Sequence, residues 1–232
     1  MILPKEADIF HVHTFRCLHA EVVPDEAYVK KAISLGASGI YFSDHAPFPN
    51  DIFGHRMKMA ELDEYISTLK NLKNKYGNVI DVHIGLEIEY FPSYIWYYEE
   101  LKKNPEIEFL LLGQHMAEYE PNHYTFSFDK DKLAKEEFIF LGNALIDGIN
   151  SGFFDAIAHP DRIFRKCSTW TKEMSNMSSK IIQAAYSKDL PLEINISSKF
   201  QEHAFWNEFW ELVPDTAKRI VGLDAHSVAE LM

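Results

Sequence analysis

Seven short apolar or β-branched runs recur along the chain, separated by longer stretches with helical spacing. The runs are ADIFHVHT, SGIYFSDH, NVIDVHIGLEIEY, EFLLLGQH, FDAIAH, LPLEINIS and RIVGLDAH. Between them lie stretches such as PDEAYVKKAISLG, MAELDEYISTLKNLKNKYG, YIWYYEELKKN, DKLAKEEFIFLGNALIDGINSG and TKEMSNMSSKIIQAAYSKD. Strand and helix alternating in this way imply βα units with right-handed crossovers, and therefore a parallel sheet. An open doubly wound sheet ordinarily has a glycine-rich phosphate loop after its first strand. The corresponding segment, HVHTFRCLHA, contains no glycine. A closed or nearly closed α/β barrel is therefore expected. Gly36 and Gly77 fall just past their helices, where a left-handed conformation costs glycine little. Pro24 with Asp25 marks a helix start.

The polar residues cluster at the ends of these runs. Six of the seven finish in histidine or carboxylate: His11 and His13, His45, Glu87, His115, His159, and Asp224 with His226. In a βα barrel the C-terminal strand ends converge on one mouth, where active sites are built. Side chains far apart in sequence are thereby expected to meet. His11 and His13, two apart on a strand, are expected to project to one face and share a metal. Imidazole and carboxylate donors without thiolate clusters suit Zn, Mn or Fe in a hydrolytic role. Glu87 is the natural bridging carboxylate. A lone strand histidine is ordinarily a hydrogen-bonded core group, so the joint pattern carries the inference and no single residue does.

Other chemistries are less well served. The chain has no G-x-S-x-G elbow and no P-loop. Cys17 beside His19 suggests a thiolate nucleophile, but a cysteine two residues from a ligand-type histidine is better read as packing the site. His83 has the parity of Glu87 but lies four residues deeper, as a core group or one that stands behind the ligands. His55, His123 and His203 fall in helix or loop contexts and are expected at the surface.

The 232 residues are expected to form one catalytic domain, 1–232. With 23 Lys+Arg against 35 Asp+Glu, the net charge of -12 does not suit a nucleic-acid partner, which needs cations to neutralise phosphates. A small phosphate at a metal centre remains compatible, because bound ions set the local sign. Two cysteines imply no disulfide framework. The opening MILPKEADIF lacks the features of a signal peptide, and no apolar run is long enough to span a membrane. A cytoplasmic location is expected, and the oligomeric state is left open.

The motifs H-x-H, SDHAP, GLEIEY, GQH, AHPD and DAH, in that order from residue 8 to residue 227, resemble those of the PHP (polymerase and histidinol phosphatase) superfamily. HTFRCLHAE, YVKKAISLG, YFSDHAPFP and LEINISS resemble its histidinol-phosphate phosphatase branch. The resemblance implies a distorted (β/α)7 barrel holding three divalent transition metal ions. By motif, one ion takes His11, His13, Glu87 and Asp224. A second shares Glu87 and adds His115 and His159, and a third takes His19, His45 and His226. The implied reaction is hydrolysis of L-histidinol phosphate by a metal-activated water, with Asp224, His226 and Glu87 as catalytic groups.

Arg16, Arg162 and Lys199 are the candidate phosphate-binding cations. Departures from the family pattern fall where substrate is held: Ala20 in place of a glycine, Arg16 in place of a neutral residue, and EINISSK near the end. The loop at 117–132, long for a βα connection, is either a pocket wall for an amine-bearing substrate or a packed surface excursion. Two rivals differ in function. One is a PHP phosphoesterase acting on another phosphorylated small molecule, nucleotide or phosphotyrosine. The other is a non-catalytic metal-stabilised module, against which the complete donor set counts.

Overall fold

The structure is a computed structural model that describes residues 4–125 and 136–232. Each of the seven apolar runs carries a strand: β1 Ile9–Val12, β2 Gly39–His45, β3 Asp81–Ile88, β4 Phe109–Leu112, β7 Ala156–Ile157, β8 Leu192–Asn195 and β9 Arg219–Gly222. Two further short strands, β5 Glu118–Glu120 and β6 His123–Tyr124, form an antiparallel hairpin. The helices are α1 Asp25–Ser34, α2 Leu62–Tyr76, α3 Ile95–Lys103, α4 Glu137–Ser151, α5 Lys172–Ser187 and the short α6 Asn207–Glu211. The main sheet has the order β1-β2-β3-β4-β7-β8-β9, so the winding never reverses. Val12 at the end of β1 also bridges in parallel to Ala225, just beyond β9. This is the expected α/β barrel topology of seven βα strands. No helix among the described residues is long and apolar enough to cross a membrane.

The chain divides into two compact units. The first comprises the described parts of Met1–Glu87, with Asn104–Leu110 and Val221–Met232. It contains β1 and β2, with β2 buried along its whole length, as a strand covered on both faces must be. β2 and β3 run in register from Gly39–Asp81 to His45–Glu87. The second unit comprises Ile88–Lys103 and the described parts of Leu111–Ile220. There β7 pairs in parallel with β8 through Ile157 and Leu192, and α4 packs on α5.

The helix boundaries follow the sequence signals with one exception. Gly36 is left-handed at φ 77°, as expected past α1. Gly77, past α2, is right-handed at φ -60°, so the expected left-handed terminator is not used there. The chain turns instead through main-chain bonds from Val79 and Ile80 to the Tyr76 carbonyl. Pro24 does precede α1, and Asp25 opens its first turn without capping it by its side chain. The Asp25 carboxylate is bound by Arg16.

Candidate metal centre

In the first unit the donors come from strand ends that the sheet brings side by side. The register pairs His45 with Glu87, and His45 Nδ1 lies 3.0 Å from Glu87 Oε2. His11 Nε2 is 3.5 Å from the same oxygen and 3.7 Å from Asp224 Oδ1. His13 Nε2 is 3.6 Å from Glu87 Oε2 and 3.1 Å from Asp224 Oδ1. His11, His13 and Glu87 are fully buried and Asp224 nearly so. The β1–β2 register slips at His11, which sits at φ 67°, and Asp224 sits at φ 54°. Non-glycine residues held there cost about 1–3 kcal/mol each and mark sites where geometry is imposed. The slip is a bulge that re-aims the His11 ring. The two imidazoles meet at 5.0 Å between ring centres, but through this bulge and not through simple strand alternation.

His19 and His226 form the adjoining part of the cluster. Their Nε2 atoms are 3.0 Å apart. His19 Nδ1 lies 2.7 Å from the Cys17 carbonyl, and His226 Nδ1 lies 2.9 Å from the Asp224 carbonyl. A carbonyl can only accept, so each Nδ1 donates, and each Nε2 of a neutral ring presents a lone pair. Two lone pairs directed at each other at this distance repel, and a cation between them removes the conflict. His45 completes a group whose donor atoms lie within 4.8 Å of one another, as do the groups His11–His13–Asp224 and His13–His45–Glu87. This donor chemistry fits a divalent transition metal.

The electrostatics agree. Burial pulls the His13 imidazole down, but Asp224 and Asp44 outweigh it and raise its pKa to about 9. Burial and the neighbouring His13 push His226 down to about 2. Burial also lowers His19. A carboxylate-rich pocket thus favours positive charge at one edge while rings at the other stay neutral and free to ligate. Cys17 joins a further close group with His13 and His226, but burial and the Asp44 charge push its thiol up to about 12. Such a thiol is a poor nucleophile at neutral pH, in keeping with a packing role.

Arg16, expected as a phosphate-binding cation, is 2% exposed. Its Nε and Nη2 donate to Glu64, and its Nη1 donates to Asp25 and to Thr14 Oγ1. The guanidinium therefore ties the starts of α1 and α2 to the turn that follows β1. His83 stacks on Tyr41 at 4.0 Å and bonds Glu108, as a core-type histidine. His55 is exposed as expected, although its ring meets His19 edge-on at 5.9 Å.

In the second unit His115 and His159 lie 5.0 Å apart between ring centres. His115 Nδ1 is 3.1 Å from Glu89 Oε1. The His159 main-chain N–H donates to Glu193, which also accepts from Asn195. His159 takes φ 26°, another non-glycine residue at positive φ. Arg162 is half-buried in the 3-10 turn Pro160–Phe164 that follows His159. Lys199 is exposed in the turn Ser197–Phe200, its Nζ 5.0 Å above the Phe205 ring. His123 is exposed, while His203, expected at the surface, is half-buried and stacked on Trp206. Of the 117–132 loop, residues 126–132 lie outside the described residues. The rest is the β5–β6 hairpin, in which Glu118 accepts from Ser93 and the Asn122 N–H.

Asp44, Thr14, Glu89 and Glu193 were not singled out from the sequence, yet all four are built into these clusters. For the three acids the available signal was a carboxylate inside an otherwise apolar buried run, SGIYFSDH, GLEIEY or LPLEINIS; Thr14 carried no such signal. A buried charge in such a run must be partnered.

An α/β barrel with imidazole and carboxylate donors gathered at its strand ends has the construction of a metal-dependent hydrolase. The chain belongs to the PHP domain family, whose model matches residues 10–197. A candidate histidinol-phosphatase of Deinococcus radiodurans is 28% identical over 240 residues, covering 95% of this chain and 86% of that protein. The fold is similar to that of a candidate histidinol phosphatase from Listeria monocytogenes, with a TM-score of 0.75, 19% identity and 97% of each chain covered. It is also similar to a histidinol phosphate phosphatase from Lactococcus lactis solved with zinc, L-histidinol and phosphate. That match has a TM-score of 0.71 and 20% identity, covering 95% of this chain and 86% of that one.

Proposed function

We propose that the chain is a metal-dependent phosphomonoesterase that releases phosphate from L-histidinol phosphate. The observation that carries the reading is the buried convergence of His11, His13, His45, Glu87 and Asp224, with His19 and His226 beside it. The histidinol-phosphatase relatives support the choice of substrate. The ion count we assign is three, with His115 and His159 supplying donors to one of them. Divalent ions in such a site lower the pKa of a water and offset charge on phosphate oxygens.

The chain's own groups supply the rest. Glu87 and Asp224 offer carboxylate oxygens in a buried, water-poor setting, where pairing with a cation gains most. His226, kept neutral by burial and donating from Nδ1 to the Asp224 carbonyl, holds its second nitrogen ready to ligate. Arg162 and Lys199, in the turns after β7 and β8, are the cations we assign to phosphate. Arg16 is withdrawn from that role by its bonds to Asp25 and Glu64. Two buried or half-buried cysteines, Cys17 and Cys167, suit a reducing compartment, and we place the protein in the cytoplasm.

The test is phosphate release from L-histidinol phosphate by zinc-loaded and chelated protein, beside a panel of nucleotides, phosphotyrosine and sugar phosphates. Fast, chelator-sensitive hydrolysis of histidinol phosphate is expected. Full turnover after exhaustive chelation overturns the metal requirement. Preference for another monoester overturns the substrate while leaving the chemistry intact.

A further inference from the structure

Asp44 is the carboxylate within β2, and the donor assignments above leave it without a role. It is fully buried. Thr14 donates to its Oδ2 from both the main-chain N–H, at 3.3 Å, and the hydroxyl. The His45 N–H donates to Oδ1 at 2.8 Å. The same Oδ1 lies 3.6 Å from His13 Nδ1. One carboxylate thus joins the backbone of one donor histidine to the ring of another.

The support behind it is extensive. Arg16 donates to Thr14 Oγ1 at 3.0 Å while gripping Asp25 and Glu64. The Asp44 N–H points to the Tyr65 hydroxyl at 3.4 Å, and that hydroxyl donates to the Gly85 carbonyl at 2.8 Å. Gly85 is two residues before Glu87 on β3. Asp44 is therefore fixed by the turn after β1, by α2 and by the neighbouring strand.

We propose that Asp44 is a positioning residue for the metal centre: it keeps the His13 proton on Nδ1 when a cation displaces the one on Nε2, the nitrogen that faces Glu87 and Asp224. The proposal rests on the metal reading of the site. A neutral imidazole carries its proton on one nitrogen, and an acceptor at Nδ1 selects the tautomer that ligates through Nε2. The 3.6 Å contact is longer than a formed hydrogen bond. A cation at Nε2 withdraws charge from the ring and makes Nδ1–H the stronger donor toward Asp44. The second unit repeats the arrangement, with nearly buried Glu89 behind His115 Nδ1 at 3.1 Å. Such outer carboxylates ordinarily change metal affinity about 10–100-fold.

The experiment titrates metal-stripped wild-type protein, Asp44→Asn and Asp44→Glu with zinc against a chromophoric chelator. Long-range proton–nitrogen NMR reads the His13 tautomer in the same samples. Wild type is expected to bind zinc with His13 protonated at Nδ1. Asp44→Asn weakens one zinc site about 10–100-fold and mixes the His13 tautomers, and Asp44→Glu restores part of both. A folded Asp44→Asn protein with wild-type zinc affinity and an unchanged His13 signature overturns the positioning role. Wild-type protein that takes up no zinc overturns the metal reading beneath it. If Asp44→Asn does not fold, Thr14→Val carries the same test by deleting the hydroxyl donor. Reduced zinc affinity in Thr14→Val supports the role, and undiminished affinity overturns it.

Discussion

Arg16 Nη1 donates to both carboxylate oxygens of Asp25, at 3.0 and 2.9 Å, in a place where Arg16 is 2% and Asp25 3% exposed. Burial raises the Asp25 pKa to about 6, with Arg16 pulling against it. Removing Arg16 leaves that carboxylate buried and uncompensated. Breaking a buried pair by taking one partner costs about 3–5 kcal/mol. Arg16→Gln is therefore expected to lower the denaturant midpoint sharply, and Arg16→Lys to recover only part, since lysine lacks the fork that reaches Glu64 as well. A phosphate-binding role gives the opposite signature, a raised KM with stability intact.

His19 and His226 act as one unit because their Nε2 atoms converge at 3.0 Å. His19→Ala and His226→Ala are each expected to lose about one bound ion and most of the phosphatase activity. The double variant should be scarcely worse than either single, since groups serving one function are strongly non-additive. Metal content per chain and kcat, measured together on the three variants, check this. Additive losses would mean that the two rings serve different ions.

The seven strands were legible because each run is short, apolar or β-branched, and set off from its neighbours by a stretch with helical spacing, and their order followed from that alternation. The convergence of His45 and Glu87 followed as well, since neighbouring parallel strands in register place their last residues side by side. What the sequence concealed was local backbone geometry. Alternation places His11 and His13 on one face, but the slip at His11 and its positive φ come from tertiary pairing with Ala225, whose N–H donates to the His11 carbonyl. That partner lies near the other end of the sequence, where nothing local to His11 can encode it. Arg16 shows the same limit. An arginine among histidines looks like an anion binder until α1 and α2 deliver Asp25 and Glu64 to it. The handedness of Gly77 was likewise decided by main-chain bonds that the residue type does not specify.

Gly85 is a packing requirement of β3. A Cβ built there would lie 2.4 Å from the Phe109 ring, which is 1% exposed and cannot withdraw. Gly85→Ala is expected to destabilise by about 1–3 kcal/mol, the usual cost of overpacking. It should also lower activity by displacing Glu87, two residues along. Adding Phe109→Leu makes room for the methyl group and should return part of the lost stability. A double-mutant cycle read by denaturant unfolding checks the coupling.

Glu108 sets an acid limit on stability remote from the metal cluster. Burial raises its pKa, but hydrogen bonds from His83 and Lys73 outweigh this and hold it below its ordinary 4.5. Its oxygens lie 2.8 Å from His83 Nδ1 and 2.6 Å from Lys73 Nζ. A carboxylate whose folded pKa is depressed contributes stability that is complete above the unfolded value and lost as pH falls through the folded one. The contribution is therefore whole at pH 7 and declines below about 4.5. Lys73 is about half exposed, so solvent screening limits the effect to about 1 kcal/mol. Glu108→Gln should accordingly melt at a lower temperature than wild type at pH 7, and the gap should close as the pH is taken toward 3. The comparison is best made on metal-stripped protein, so that loss of ions from the histidine cluster in acid does not enter. A gap that persists unchanged at pH 3 would assign the cost to lost packing and not to the charge.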